Sequence, residues 1–548
     1  MLTRVIPVVV LAVAAFIAGV RLATSPGRDE KNLVKRYVTA WQHDDIAGMY
    51  GLLDSTSRAR ASEAGFAQML AAAEETATLR SLRVLKVGGK DGNYFPVRMQ
   101  LDTRLWGTFN ETLDVPLTGS GSGAHVHLQS SMLFPGLKPG EALHRTTVLA
   151  PRGTLLASDG TPLAQGPDRT SPIPSVAIQI VGTLGPIPHG QTAAYVAQGY
   201  PAGAKVGQDG LERIFQSRLA GQPGGKLLGG RRVLADAKPV PGKPVTTTIN
   251  PKLEQAAVSA LGGQYAGMAV MNPRTGALEA LAGIAFSALQ PPGSTMKIIT
   301  TSAALSAGIV KPSSTFPIQS SATIDGFTMQ NASGEDCGGT LVNAFAVSCN
   351  SVFAPLGVRL GGARLVAMAQ KFGFNHPSAI LGAAESMIPS ASKIGDSLAV
   401  GSSAIGQGDV LTTPLEMTDV AATIAMGGRR PIPTLLAHQK PRFVRVISPT
   451  VAHEVQEMMV AVVQYGTGTS AQIPGVVVAG KTGTAELTDT GTGSTGASSS
   501  ADTDAWFVGY APVGHPHVVA GALFPNQGAG GATAAPPVHD VIVAALGQ

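Results

Sequence analysis

In the stretch Pro292-Gly293-Ser294-Thr295-Met296-Lys297 a Pro-Gly pair interrupts the chain, a serine opens a helix, and a lysine follows three residues on. Positions i and i+3 of a helix share a face, so the Lys297 amine can reach the Ser294 hydroxyl. A serine in the first helical turn also gains from the helix dipole. Backbone N–H groups without intrahelical partners lie there too, and these can stabilise an oxyanion. A serine hydroxyl is a poor nucleophile until a base takes its proton. Lysine can be that base only where desolvation or a nearby cation disfavours its charged form. Ser-x-x-Lys occurs by chance on many helices, so the rest of the chain must supply the missing groups.

Two further motifs supply them. Ser348-Cys349-Asn350 follows 54 residues later (348 − 294), and Lys481-Thr482-Gly483-Thr484 lies 133 residues beyond that (481 − 348). Lys481 is the neighbouring cation that Lys297 needs, and Ser348 can relay a proton between the two amines. Asn350 offers its amide to a substrate carbonyl or to Lys297. The last motif closes an apolar strand at 476–486, where Thr482 and Thr484 share one face and suit a carboxylate. Gly483, without a Cβ, lets a substrate backbone approach closely.

Around these motifs, residues 245–548 read as one mixed domain. A helix is expected at 251–262, strands at 267–272 and 277–282, a helix from Ser294, and more helices through 425. Strands return at 476–486, 505–511 and 517–523. Strands at both ends with helices between them predict an antiparallel sheet built from both termini, with helices on its faces. The Ser/Thr/Gly-rich stretch 488–503 reads as a loop.

Upstream, helical spacing at 32–50 and 63–77 precedes strand-like runs at 79–87, 94–101, 111–115 and 124–132, an α+β unit covering 31–135. No catalytic cluster occurs there, so it reads as a spacer. Residues 140–242 are rich in turns, with Arg152-Gly153, Ser158-Asp159-Gly160-Thr161-Pro162 and Gly210-Leu211-Glu212. The chain has 548 residues, 44% hydrophobic and 14% charged, so it can fill several cores and is not a disordered solvating chain. Its net charge of +5 is spread thinly, without the basic block that nucleic-acid binding favours.

An apolar run at 5–20, bounded by Arg4 and Arg21, marks residues 1–24 as a signal-anchor, with a cleaved signal peptide as the leading alternative and a buried core helix as the third. Either of the first two readings exports the remainder. Cys337 and Cys349 are the only cysteines. Outside the cytoplasm an even count favours a disulfide between them, and the alternative is two buried thiols that never meet.

Taken together, the three motifs resemble those of the penicillin-recognising serine transpeptidases and β-lactamases. The segments Lys481-Thr482-Gly483-Thr484-Ala485-Glu486, Ala505-Trp506-Phe507-Val508-Gly509-Tyr510, Ile405-Gly406-Gln407-Gly408 and Thr413-Pro414-Leu415-Glu416 resemble transpeptidase-domain segments as well. Residues 140–242 are similar to the dimerisation pedestal of class B penicillin-binding proteins. Residues 31–135, ending in Met132-Leu133-Phe134-Pro135, look like the NTF2-like domain of the low-affinity, methicillin-resistance branch.

This resemblance implies a multidomain α+β chain whose C-terminal domain is a peptidoglycan D,D-transpeptidase, open to acylation by β-lactam antibiotics. Ser294 would be the acylated nucleophile, Lys297 its base, and Ser348, Asn350 and Lys481 catalytic partners. Thr482, Gly483 and Thr484 would bind substrate, and the backbone N–H groups of Ser294 and Thr484 would form the oxyanion hole. No metal or organic cofactor is implied. Stem peptides are the expected substrate, and a polytopic glycosyltransferase the expected partner. The setting would be a cell membrane with the catalytic domain outside.

The rivals are a β-lactamase, a D,D-carboxypeptidase and a non-enzymatic β-lactam sensor. Glu385, Glu416, Glu454 and Glu457, between the second and third motifs, lack the Asn four residues on that a class A β-lactamase loop carries. A sensor needs several spans or a cytoplasmic effector domain.

Overall fold

Long buried runs such as Ala505-Trp506-Phe507-Val508 cannot serve a sheet with one wet face, and here they lie between two helical layers. The computed structural model describes residues 27–486 and 503–547. The apolar run at 5–20 and most of the stretch at 488–503 lie outside them. No single helix among the described residues is long and apolar enough to cross a membrane.

The described chain forms two compact units. One comprises residues 153–184, 207–219 and 244–547. Its centre is a five-stranded antiparallel sheet of β1 (Gly267–Asn272), β2 (Ala277–Gly283), β3 (Ala479–Glu486), β4 (Thr503–Ala511) and β5 (Val518–Phe524). The order β2-β1-β5-β4-β3 leaves β3 at an edge. Met268, Val270, Phe507 and Ala522 pack against the helices Pro251–Ala260 and Ala535–Leu546. On the other face Met271, Trp506, Val508 and Leu523 meet a thicker layer, which includes α1 (Lys297–Ser306), α2 (Asn350–Leu360), α3 (Pro414–Ala425) and α4 (Pro449–Gln464). With both faces covered, the strands need continuous apolar sequence rather than alternation.

Local signals place the helix ends. Thr413 caps α3 by accepting the Glu416 N–H, and Pro414 occupies the first turn, where its missing N–H costs nothing. Ser448 caps α4 in the same way. Glu212 is buried against Arg169 at 2.6 Å, and Arg169 also donates to the Gly153 carbonyl, which ties together the Arg-Gly and Gly-Leu-Glu turns.

The other unit holds residues 27–152, 185–206 and 220–243. Its helices Arg28–Gln42 and Glu63–Thr76 bury Tyr37, Trp41 and Phe66 with Phe95 and Val97, which belong to a four-stranded meander. A three-stranded sheet of Leu143–Val148, Gly224–Gly229 and Arg232–Ala237 completes the unit. Leu101, Phe134, Leu137 and Leu227 share one apolar cluster, and the Trp106 indole donates to the Gly225 carbonyl. The stretch 140–242 is therefore divided between the two units.

Several expectations change. The helix expected at 32–50 is two helices, Arg28–Gln42 and Ile46–Gly51, because Asp45 caps the second. The strand expected at 124–132 is only His125–Val126, since the Ser57 hydroxyl accepts the Leu128 N–H and ends the ladder. Four short strands, at Thr315–Gln319, Ser321–Ile324, Phe327–Gln330 and Cys337–Thr340, interrupt the region read as all helical. Runs of four or five residues are too short to display a period.

Gly406 holds the start of α1. Its φ is +78°, and a Cβ there would lie 2.1 Å from the Gly293 carbonyl oxygen. Replacing it with alanine should cost about 1–3 kcal/mol through strain and collision. Thermal unfolding of Gly406→Ala should show a lower midpoint; an unchanged midpoint would mean the Gly406–Gly293 packing is soft.

Candidate active site

Ser294 lies one turn earlier than a simple helix start. Residues Gly293–Met296 form a 3₁₀ turn, and α1 begins at Lys297. Gly293 has φ +51°, a left-handed conformation that glycine adopts without strain, and its N–H donates to the Gly406 carbonyl at 2.9 Å. The Thr295 hydroxyl donates to the Pro292 carbonyl at 2.7 Å, and Thr300 ties α1 to the Ala404 carbonyl at 2.6 Å.

Lys297 is fully buried, with four oxygens about its amine. Ser294 Oγ lies at 3.0 Å, Ser348 O at 2.7 Å, Ser348 Oγ at 3.2 Å and Asn350 Oδ1 at 2.7 Å. Burial, and then the charge of Lys481, hold its pKa well below the usual lysine value. A neutral amine has two N–H bonds and one lone pair. Donating to the two oxygens at 2.7 Å leaves the lone pair for the Ser294 hydroxyl proton.

Ser348 adopts φ +62°, rare for a residue with a Cβ, and presents both its carbonyl and its hydroxyl to Lys297. Lys481 reaches the same hydroxyl at 2.9 Å and the Thr482 carbonyl at 3.0 Å. Burial draws its pKa down to about 7. Phe353 and Phe345 each place a ring 5.5 Å from one amine, Lys297 and Lys481 respectively. Among the described residues no carboxylate hydrogen-bonds to either amine.

The Asn350 side chain spends its oxygen on Lys297 and its nitrogen on the Gln330 carbonyl at 3.1 Å, at the end of the unforeseen hairpin. Asn331, next to it, accepts the Ser351 N–H at 2.8 Å. Cys349 precedes α2 and is joined by a disulfide to Cys337, with a Cα–Cα separation of 5.8 Å. The second motif is thus anchored from two sides.

On the edge strand β3, Lys481 and Gly483 stand opposite Val508 and Trp506 and face the helical layer that carries Ser294. A Cβ on Gly483 would meet the Pro292 carbonyl at 2.7 Å. Thr482 and Thr484 share the other face. The Thr484 hydroxyl accepts the Gly530 N–H at 3.4 Å, and Thr482 meets the Thr467 hydroxyl. Phe345, Phe353, Gly406, Gly530 and Thr467 were not singled out from sequence as site residues. Only Gly406, within a motif-like segment, carried a local signal.

This geometry has known counterparts. Residues 266–543 match the family model described as the penicillin binding protein transpeptidase domain, and residues 159–247 match the penicillin-binding protein dimerisation domain. The chain belongs to the class B penicillin-binding protein family. The peptidoglycan D,D-transpeptidase PbpA of Mycobacterium tuberculosis is 34% identical over 410 residues, which span 61% of this chain and 79% of that protein. The PbpA of Mycolicibacterium smegmatis is 34% identical over 431 residues, or 66% and 83%. The structure of penicillin-binding protein A from M. tuberculosis as its penicillin G acyl-enzyme complex superposes with a TM-score of 0.58. It has 30% identity and covers 72% of this chain and all of that one. Residues before 159 lie outside both family matches.

The depressed lysines predict a linkage to pH. Between about 7 and the ordinary lysine value of about 10.4, unfolded Lys481 binds more protons than the folded residue, so unfolding free energy rises with pH there. Relative to Lys481→Met, the wild-type protein should gain stability as pH rises across that window, by at most about 1.4 kcal/mol per unit. Parallel denaturant titrations at pH 7 and pH 9 check this. No difference between the two proteins would mean Lys481 keeps its proton when buried.

Proposed function

We propose that this class B penicillin-binding protein is a peptidoglycan D,D-transpeptidase acting through an acyl-enzyme on Ser294. The observation that carries the reading is the buried Lys297 amine, 3.0 Å from Ser294 Oγ and surrounded by Ser348 and Asn350. Ser294 Oγ attacks the carbonyl of the D-Ala-D-Ala bond while Lys297 takes its proton. The backbone N–H groups of Ser294 and Thr484 stabilise the oxyanion. Ser348, between the two amines, passes a proton to the departing D-Ala amine. A second stem peptide then attacks the acyl-enzyme through its own amine, giving the cross-link and freeing Ser294. Thr482 and Thr484 receive the substrate carboxylate. Gly483, expected from sequence to make room for substrate backbone, instead makes room for the Pro292 carbonyl, because a Cβ there would lie 2.7 Å from that oxygen. β-Lactams acylate the same serine.

A class A β-lactamase activates water with a carboxylate, and among the described residues no carboxylate bonds to either amine, which favours a transpeptidase over that enzyme.

The proposal extends to the whole chain. Residues 1–24 anchor it in the cell membrane as a single pass, and residues 25 onward lie outside. Residues 31–135 form an NTF2-like spacer of the low-affinity resistance type, a reading supported by helices packed on a four-stranded meander. Residues 140–242 form the pedestal, a reading supported by the dimerisation-domain match at 159–247 although its segments fall in both compact units, and residues 245–548 form the transpeptidase domain. Glycan polymerisation falls to a partner, a polytopic glycosyltransferase. Slow acylation of wild-type protein by penicillin would support the resistance assignment, and rapid acylation at low drug concentration would remove it.

Ser294→Ala should abolish covalent labelling by fluorescent penicillin, since no other oxygen ends in the acyl-enzyme. Lys297→Ala should slow labelling by about 10²–10⁴-fold, the usual contribution of a positioned general base. Labelling at another serine, found by peptide mass spectrometry, would overturn the assignment.

The wild-type acyl-enzyme should persist for many minutes after free drug is removed. Steady turnover to hydrolysed penicillin would make the protein a β-lactamase instead.

A further inference from the structure

Thr482 can serve a carboxylate only if its hydroxyl proton points at the ligand. A carboxylate has no proton to share, so every hydrogen bond it makes must come from a donor. In this structure Thr482 is almost wholly buried, and its hydroxyl lies 2.5 Å from that of Thr467, fifteen residues upstream, beyond the end of α4. Thr467 itself is tied down. Its backbone N–H donates to the Ala346 carbonyl at 3.1 Å, and its hydroxyl lies 3.5 Å from the same oxygen. Ala346 stands two residues before Ser348 (348 − 346). One residue outside all three motifs thus links the second motif to the third.

From this arrangement we infer that Thr467 is a positioning residue for carboxylate capture: it donates its proton to Thr482 and so turns the Thr482 proton toward the substrate. The inference rests on the transpeptidase reading above and adds a residue to it. Each hydroxyl has one proton. If Thr482 donates to Thr467, it presents only lone pairs to the cleft and repels an anion. When Thr467 donates instead, Thr482 accepts with one lone pair and its proton is free for the ligand. The Ala346 carbonyl takes the Thr467 proton when Thr482 donates, and a bound carboxylate takes the Thr482 proton when Thr467 donates, so the pair can switch direction on binding without leaving a buried donor unpaired. Gly531 allows the close approach, since a Cβ there would lie 3.6 Å from the Thr482 methyl and only 2.2 Å from the Thr467 carbonyl.

The test compares two probes on the full-length chain, penicillin G with its free carboxylate and penicillin G methyl ester, for wild type, Thr467→Val and Thr467→Ser. Thr467→Val keeps the shape and loses the hydroxyl. It should lower the second-order acylation rate by penicillin G about tenfold, the scale of one hydrogen bond to a charged group. The loss should appear as a higher half-saturating concentration with the maximal acylation rate retained, and acylation by the ester should change little. Thr467→Ser, which keeps the hydroxyl, should restore the preference for the acid. Should the valine variant fail to fold, Thr467→Ala is read by the same criteria. An equal loss on acid and ester, no loss on the acid, or a serine variant as impaired as valine would each overturn the inference. Failure of wild-type protein to label at Ser294 would instead strike the underlying transpeptidase reading.

Discussion

An ammonium group buried without water is among the most costly objects a protein can hold, and Lys297 is one fully buried lysine whose amine must also touch a serine. The fold eases the conflict by favouring the uncharged amine. Burial acts first and the second buried amine, Lys481, acts in the same direction. Each N–H then finds an oxygen, and the remaining lone pair faces Ser294 Oγ. An amine without its charge has the lone pair that the proposed base needs. The same desolvation that threatens stability therefore favours the form the proposed reaction uses.

That arrangement tolerates little movement, and the surrounding chain shows how movement is prevented. Gly406 and Gly293 bring two backbones into contact behind the serine, and Gly483 lets the third motif approach the Pro292 carbonyl. Ser348 is held in a left-handed conformation between an ending helix and a beginning one, with Cys349 bonded to Cys337 and Asn331 bonded to Ser351. Contacts of this kind depend on the absence of side chains as much as on their presence. Steric room is what places three short motifs, far apart in sequence, within one hydrogen-bonded group.

The edge position of β3 leaves one backbone edge beside this centre open. A strand inside the sheet would have both backbone edges occupied, whereas β3 pairs only with β4 among the described strands. Its two side-chain faces also divide the work. Lys481 and Gly483 look toward the serine and the helical layer, while Thr482 and Thr484 look toward Thr467 and Gly530. One strand thus carries the buried amine on one face and two hydroxyls on the other, the division of labour the proposed mechanism uses.

Much of this was legible in the residues themselves. The i, i+3 spacing of Ser294 and Lys297 fixes their proximity through helix geometry alone, and the apolar runs at 267–272, 505–511 and 517–523 announce buried strands without reference to any partner. The alternation along 481–484 likewise assigns faces. Other features had no local signature. The 3₁₀ turn at Ser294 follows from Gly293 packing on Gly406, and the short hairpin beneath Asn350 is too brief to show a period. The positive φ of Ser348, the rings of Phe345 and Phe353, and the contact between Thr467 and Thr482 arise only when distant segments meet. Sequence by itself determined which chemical groups were available and which neighbours along the chain would share a face, because both follow from covalent spacing. Tertiary structure alone decided which groups lost their water and which hydroxyls met, because desolvation and close packing are set by what the rest of the chain brings alongside.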